Sequence, residues 1–259
     1  MKKYLPMLVL SAIISISASA QWIEQATGFA VPTGINQIVI VDTSTVWATA
    51  QELTGASIRD FTRTNNGGAT WIPGTVEEAP NDNTWSGLSA ISADTAWALF
   101  FKNAGDFLGG GVWKTTDGGE TWNQQTSAFG SNSFPNVIYF WNGNEGLTMG
   151  DPVNDEFEIY TTNDGGDTWN LVNGSEIPDP LPGEFGLARS FAVRGNVLWF
   201  GTNAGRIYMT TDFGETWTVL STGSSDGIST VEFANEMVGW VELIDPQTFA
   251  FKSIMRTTD

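Results

Sequence analysis

Few residues in this sequence are equipped for chemistry, and most of those are carboxylates. Asp151 lies between Gly150 and Pro152, a setting that fixes its backbone and aims the carboxyl toward a connecting loop. Glu184 follows Pro182-Gly183 on a neighbouring long connection. Glycoside cleavage needs two carboxylates roughly 5–10 Å apart, which makes Asp151 and Glu184 the candidate catalytic pair. Asn154, Asp155 and Glu156 offer hard oxygen ligands to a cation, but their spacing matches no standard metal loop, and no metal or other cofactor is expected. Glu176 and Asp179 sit in a proline-rich connection. Trp85 and Trp141 lie near the ends of predicted strands, where an indole either stacks on a sugar ring or is buried. Asp155, Glu156, Glu176, Asp179 and Trp85 are therefore the binding-face candidates.

What is missing narrows the classes further. The 259 residues contain no His and no Cys. That removes the usual general base near neutral pH, thiol nucleophiles, thiolate metal sites and disulfides. Eleven Lys and Arg face 29 Asp and Glu, a net charge of −18. Such a surface repels phosphate backbones and anionic lipid heads, so a nucleic-acid partner is not expected.

Residues 1–20 read as a removable leader: Lys2 and Lys3, an apolar run from Leu5 to Ile16, then Ala18-Ser19-Ala20. The run is shorter than the roughly 20 residues needed to span a bilayer. No later segment is apolar enough to be a span. The expectation is cleavage before Gln21 and an exported product, extracellular, surface-bound or periplasmic, stabilised by packing.

The elements that must position these groups are set by an internal repeat. Four segments share one pattern: Thr64-Asn-Asn-Gly-Gly-Ala-Thr-Trp71, Thr115-Thr-Asp-Gly-Gly-Glu-Thr-Trp122, Thr162-Asn-Asp-Gly-Gly-Asp-Thr-Trp169 and Thr210-Thr-Asp-Phe-Gly-Glu-Thr-Trp217. A fifth begins at Thr257-Thr258-Asp259. The third position is therefore Asn66, Asp117, Asp164, Asp212 and Asp259, a period of 47–51 residues. Each motif lies between alternating apolar runs, the pattern of half-buried strands, so the motif is a hairpin turn. Its Asp accepts backbone N–H bonds, its fifth-position Gly tolerates positive φ, and Trp71, Trp122, Trp169 and Trp217 bring large apolar faces for packing. Two further strands precede each hairpin: Trp85–Ile91 and Thr95–Phe101, Asn136–Trp141 and Gly146–Gly150, Arg189–Val193 and Val197–Thr202. Trp47, Trp97, Trp199 and Trp240 fall in the second strands and are expected in the core. Four antiparallel strands per repeat is a propeller blade.

The repeats resemble BNR or Asp-box repeats over nearly the whole chain after residue 20, with Asn66 in the first copy as the departure. The wider resemblance is to sortilin-like, photosystem II assembly-factor-like and YVTN-type propellers and to Asp-box glycosidases. It implies an all-β propeller in which the box is structural and peripheral. Trp22 stands 49 residues before Trp71, in register with the repeat, and predicts that the chain after the leader opens, at Gln21, with an outermost strand. Together with the unfinished fifth box, this leads to the expectation of four to five blades forming an open arc of a longer ring, monomeric when whole. The long connections share one face, the usual place for binding. The favoured function is a non-catalytic exported propeller that binds protein or glycan. One alternative is an Asp-box glycoside hydrolase, xyloglucanase-like rather than sialidase, because no Arg-Ile-Pro motif occurs. The other is a structural surface-layer propeller, with a type IX secretion sorting domain possible downstream.

Overall fold

The computed structural model describes residues 21–29, 33–51, 55–105, 107–129 and 133–258. The expected leader and Asp259 lie outside them. The described chain is all-β apart from one short 3-10 turn, Gly174–Glu176.

Five antiparallel sheets follow one another along the chain. Blade one is β1 (Gly34–Ile40), β2 (Val46–Gln51), β3 (Asp60–Thr64) and β4 (Ile72–Thr75). Blade two is β5 (Asn83–Ala90), β6 (Ala96–Lys102), β7 (Gly110–Thr115) and β8 (Asn123–Gln125). Blade three is β9 (Pro135–Phe140), β10 (Gly146–Val153), β11 (Glu156–Thr162) and β12 (Asn170–Leu171). Blade four is β13 (Gly186–Arg194), β14 (Val197–Thr202), β15 (Arg206–Thr210) and β16 (Thr218–Ser221). Blade five has three strands, β17 (Gly227–Phe233), β18 (Gly239–Ile244) and β19 (Phe251–Thr257). The innermost strands β1, β5, β9, β13 and β17 touch in chain order, and no comparable contact joins β17 to β1 among the described residues. This is the expected β-propeller, with five blades.

The core lies between blades, because each sheet is apolar on both faces. Trp97 of β6 stacks on Phe140 of β9, and Trp199 of β14 stacks on Phe233 of β17. The box tryptophans pack backwards, against the preceding blade: Trp122 meets Trp47 and Phe61, Trp169 joins Trp97 and Leu99, and Trp217 joins Leu147 and Phe157. Polar ties reinforce the inner edges. The Gln37 side chain exchanges two hydrogen bonds with the Leu88 backbone, the Ser86 hydroxyl donates to the Pro135 carbonyl, and the Ser190 hydroxyl to the Ile228 carbonyl. Stability is thus largely a sum of neighbour interfaces.

Three expectations need correcting. Trp240, the second-strand tryptophan of blade five, is 39% exposed rather than core, because no blade of the described residues packs over it. Residues 21–29 form no strand. They lie along blade one, where the Thr62 hydroxyl donates to the Thr27 carbonyl and the Trp71 indole N–H to Gln25. The connecting loop expected beside Asp151 is mostly strand: β10 runs on to Val153, and the two-residue turn Asn154-Asp155 closes it. Both residues have positive φ, 54° and 64°, the primed turn that matches strand twist.

Candidate functional site

The boxes come first, because their chemistry is complete within themselves. The Asp117 carboxylate accepts from the Thr115 hydroxyl at 2.7 Å, the Thr121 N–H at 3.0 Å and the Thr121 hydroxyl at 2.6 Å. Asp164 and Asp212 repeat the set with Thr162 and Thr168, and with Thr210 and Thr216. Bonds from the following threonine hold Asp117 and Asp164 down to about 2. Asn66 keeps the geometry by inversion: its carbonyl accepts from Thr64 and the Thr70 N–H, and its amide donates to the Thr70 hydroxyl. The box glycines are needed for closeness as well as for φ. Gly118 has φ 77°, and a Cβ there would lie 2.3 Å from the Arg63 guanidinium of the preceding blade. The fourth N–H of each of the first three boxes donates to the first turn of its own blade: Gly67 to Ser44, Gly118 to Asp94, Gly165 to Asn144. The threonine and backbone donors commit these carboxylates to their own hairpins, and the box N–H groups tie the hairpins to the first turns of their blades.

The opposite face holds the other candidates. Asp151 does not aim at the loops. Its carboxylate accepts from the Asn136 amide at 2.6 Å and from the N–H of Gly186, the first residue of β13, at 3.1 Å, which ties blade three to blade four. Burial raises this carboxyl to about 6, with the two hydrogen bonds pulling it back. Glu184 is buried and paired. The Arg206 guanidinium donates to it at 2.7 Å, as do the Thr202 hydroxyl and the Leu181 N–H. Both carboxylates sit at the seams that hold the long connection in place.

The remaining candidates disperse. Asp155 belongs to the two-residue turn, and Glu156 opens β11 beside Gly174. Among the described residues, no group of three or more acidic side chains is placed to hold a metal ion. Glu176 lies in the 3-10 turn, and its carbonyl accepts from the Trp217 N–H. The Asp179 carbonyl accepts from Arg206 and Tyr208. Trp85 is 3% exposed, with its ring against Phe100 and its indole N–H donating to the Asp60 carbonyl, so it forms a wall rather than a stacking platform.

That wall belongs to a cleft of about 270 Å³ at the inner edge of the loop face. Asn36, Gln51, Ile58, Trp85, Asn103 and Arg189 line it. Arg189 is the residue that sequence reasoning passed over. It sits in β13 at φ 62°, inside a bulge where the pairing with β14 slips between Gly186 and Phe191. A bulge re-aims a side chain, and here the guanidinium crosses from blade four to the Ser86 carbonyl of blade two at 3.4 Å. No carboxylate lies within ion-pair distance of Arg189 among the described residues, and burial alone lowers its pKa. The sequence signal was weak: one basic residue breaking the alternation of Leu187-Ala188-Arg189-Ser190-Phe191.

These features define a box-repeat β-propeller with structural hairpins on one side and a cation-bearing cleft on the other. The profile of the Photosynthesis system II assembly factor YCF48 family matches residues 77–240, and the chain belongs to that family. No curated protein sequence matches it significantly. Among solved structures, YCF48 bound to a D1 peptide is 16% identical, with a TM-score of 0.56 over 86% of this chain and 68% of that one. The GH74 xyloglucanase of Xanthomonas campestris is 15% identical, with a TM-score of 0.54 over 82% of this chain and 34% of the enzyme. An ancestral GH74 enzyme is 13% identical, with a TM-score of 0.57 over 93% of this chain and 32% of the enzyme. The chain thus spans about a third of the enzymes' length. At these identities the likeness is one of fold.

Proposed function

We propose that this chain is an exported, non-catalytic assembly propeller that holds an extended segment of a partner protein in the Arg189 cleft. The observation that carries the reading is a half-buried guanidinium with no carboxylate partner among the described residues, held at strained φ in a cleft whose rim carries the side-chain amides of Asn36, Gln51 and Asn103. A fork of donors suits a carboxylate or backbone carbonyls, and side-chain amides suit an extended backbone. The D1 peptide bound to the structurally similar YCF48 supports a peptide as the ligand class. Export rests on residues 1–20.

The test is titration calorimetry with extended peptides carrying free or amidated C-termini. Free-acid peptides should bind, and Arg189→Gly, which suits the positive φ while deleting the cation, should weaken them at least about tenfold. Binding that is indifferent to Arg189→Gly refutes the reading. The hydrolase alternative draws on Asp151, whose raised pKa near 6 suits a general acid. Against it, Glu184 is committed to Arg206. Hydrolysis of a polysaccharide panel that is lost on Asp151→Asn would favour the hydrolase.

A further inference from the structure

The loop-face ends of the second strands can be compared blade by blade. These strands meet the first threonine of their box at Val46–Thr64, Ala96–Thr115, Gly146–Thr162, Leu198–Thr210 and Gly239–Thr257. Five residues further along, at the loop face, stand Gln51, Phe101, Asp151, Asn203 and Ile244. Asp151 and Asn203 use the position as a tether, the first to the Gly186 N–H and the second to the Phe185 N–H and the Gly183 carbonyl. Ile244 is buried. Gln51 and Phe101 line the Arg189 cleft. Phe101 is therefore a departure from the repeat, a half-buried aromatic ring where three of the blades carry a polar side chain.

Phe101 also begins a second feature. Its ring lies 4.8 Å from that of Phe134, tilted by 35°, and 6.4 Å from that of Phe107, edge to face. Backbone bonds fix the set. The Phe134 carbonyl accepts from the Asp151 N–H at 3.0 Å and from the Asn136 amide at 3.1 Å, and the Ser133 carbonyl beside it accepts from the Gly109 N–H at 2.9 Å. Phe107 is 49% exposed and sits at φ 65°. The left-handed region is unfavourable for a bulky side chain, and strain of this kind gathers at ligand sites. Three rings thus make a ledge that starts in the wall of the cleft and ends in solvent.

Beside the guanidinium the cleft has small walls, Ala50, Ala56 and Ala188. Its volume of about 270 Å³ gives it the breadth of about two residues of extended chain, at roughly 3.3 Å each. A segment whose terminal carboxylate meets Arg189 therefore carries the side chain two residues earlier onto Phe101.

We infer that the bound segment has a bulky apolar residue, aromatic or leucine-like, two positions before its terminal carboxylate, and that Phe101, Phe107 and Phe134 receive it. This rests on the reading of the Arg189 cleft given above. The guanidinium fixes the end of the segment, the small walls select a slender last residue, and the ledge selects the apolar one.

The test is titration calorimetry of the full chain with two free-acid peptides that differ only at the third residue from the end, Phe in one and Ala in the other. The Phe peptide should bind about tenfold more tightly. Phe107→Asn removes the exposed ring and tolerates the positive φ, so the melting profile should hold. It should shrink the preference by about threefold and leave the Ala peptide as it was. Equal affinity of the two peptides, both weakened by Arg189→Gly, overturns the ledge and leaves the cleft standing. Binding indifferent to Arg189→Gly overturns the cleft and the ledge together. A preference untouched by Phe107→Asn puts the apolar side chain elsewhere and overturns the inference. So does a light-scattering mass of the unliganded chain that falls on Phe107→Asn, since the ledge would then be covered by a second copy.

Discussion

The two sides of the propeller treat charge in opposite ways. On the box side, Asp117, Asp164 and Asp212 each sit in a ring of threonine and backbone donors from their own hairpin. On the loop side, Asp151 is buried with its charge resisted, and Arg189 reaches from blade four to the Ser86 carbonyl of blade two with no carboxylate partner among the described residues. Repetition explains the contrast. A motif that recurs in each blade can only do what each blade needs, which is to fasten itself to its neighbour. A function needing one copy must break the repeat: inner strands slip register in every blade, but among the described residues the slip of blade four is the wide one, with Arg189 at positive φ.

The largest expected effect lies at the fastening. Trp97→Ala deletes the ring stacked on Phe140, which the box tryptophan Trp169 in turn edges. It should cost about 3–5 kcal/mol, measured by urea unfolding. Under conditions where the variant is folded, peptide affinity should be unchanged, because the Arg189 cleft lies elsewhere. A large loss of affinity would break the separation of the two sides. Arg189→Gly should do the reverse, losing binding at least about tenfold while holding or raising the melting temperature, since it relieves a side chain at positive φ.

Asp151 sharpens the comparison through pH. Its folded pKa, about 6, lies above its ordinary value of 3.8. The stability tied to the protonated carboxyl is therefore complete below about 3.8 and is lost as pH rises through 6. Asp151→Asn keeps an oxygen for Asn136 and Gly186 without the charge. The variant should be the more stable protein at neutral pH, by about 1–2 kcal/mol, and should match wild type near pH 3.5. Parallel curves between those limits would show that this carboxyl is not strained.

Most of the fold was legible because the repeat states it several times. The box turn, the period and the four-strand unit follow from local residue types, and the strand pairs appeared within a few residues of their expected bounds. The site was not legible, for two physical reasons. Asp151 and Glu184 look free in one dimension, and their partners come from elsewhere: Gly186 lies 35 residues from Asp151, and Arg206 lies 22 from Glu184. Arg189 gains its meaning from a bulge, and a register slip leaves almost no mark on composition. Trp240 shows a different limit, since its sequence matches its buried counterparts while no described residue of another blade packs over it.

The smallest effect tests the box itself, where the first copy departs from the others. Asn66→Asp would replace an amide donating to the Thr70 hydroxyl with a carboxylate accepting from it, the arrangement of Asp117 with Thr121. Nothing else in the hairpin need move, because Thr64, Gly68 and the Thr70 N–H already hold the same positions. The gain at pH 7 should be a few tenths of a kcal/mol to about 1. It should vanish in acid. Asp117 and Asp164 have folded pKa values of about 2 against an ordinary 3.8, so their contribution is full above about 3.8 and disappears as pH falls through 2. The variant should therefore gain one more acid-sensitive box and lose its advantage over wild type between pH 4 and 2. A gain that persists at pH 2 would mean that the box carboxylate acts through shape alone, and Asn66 would then be its equal.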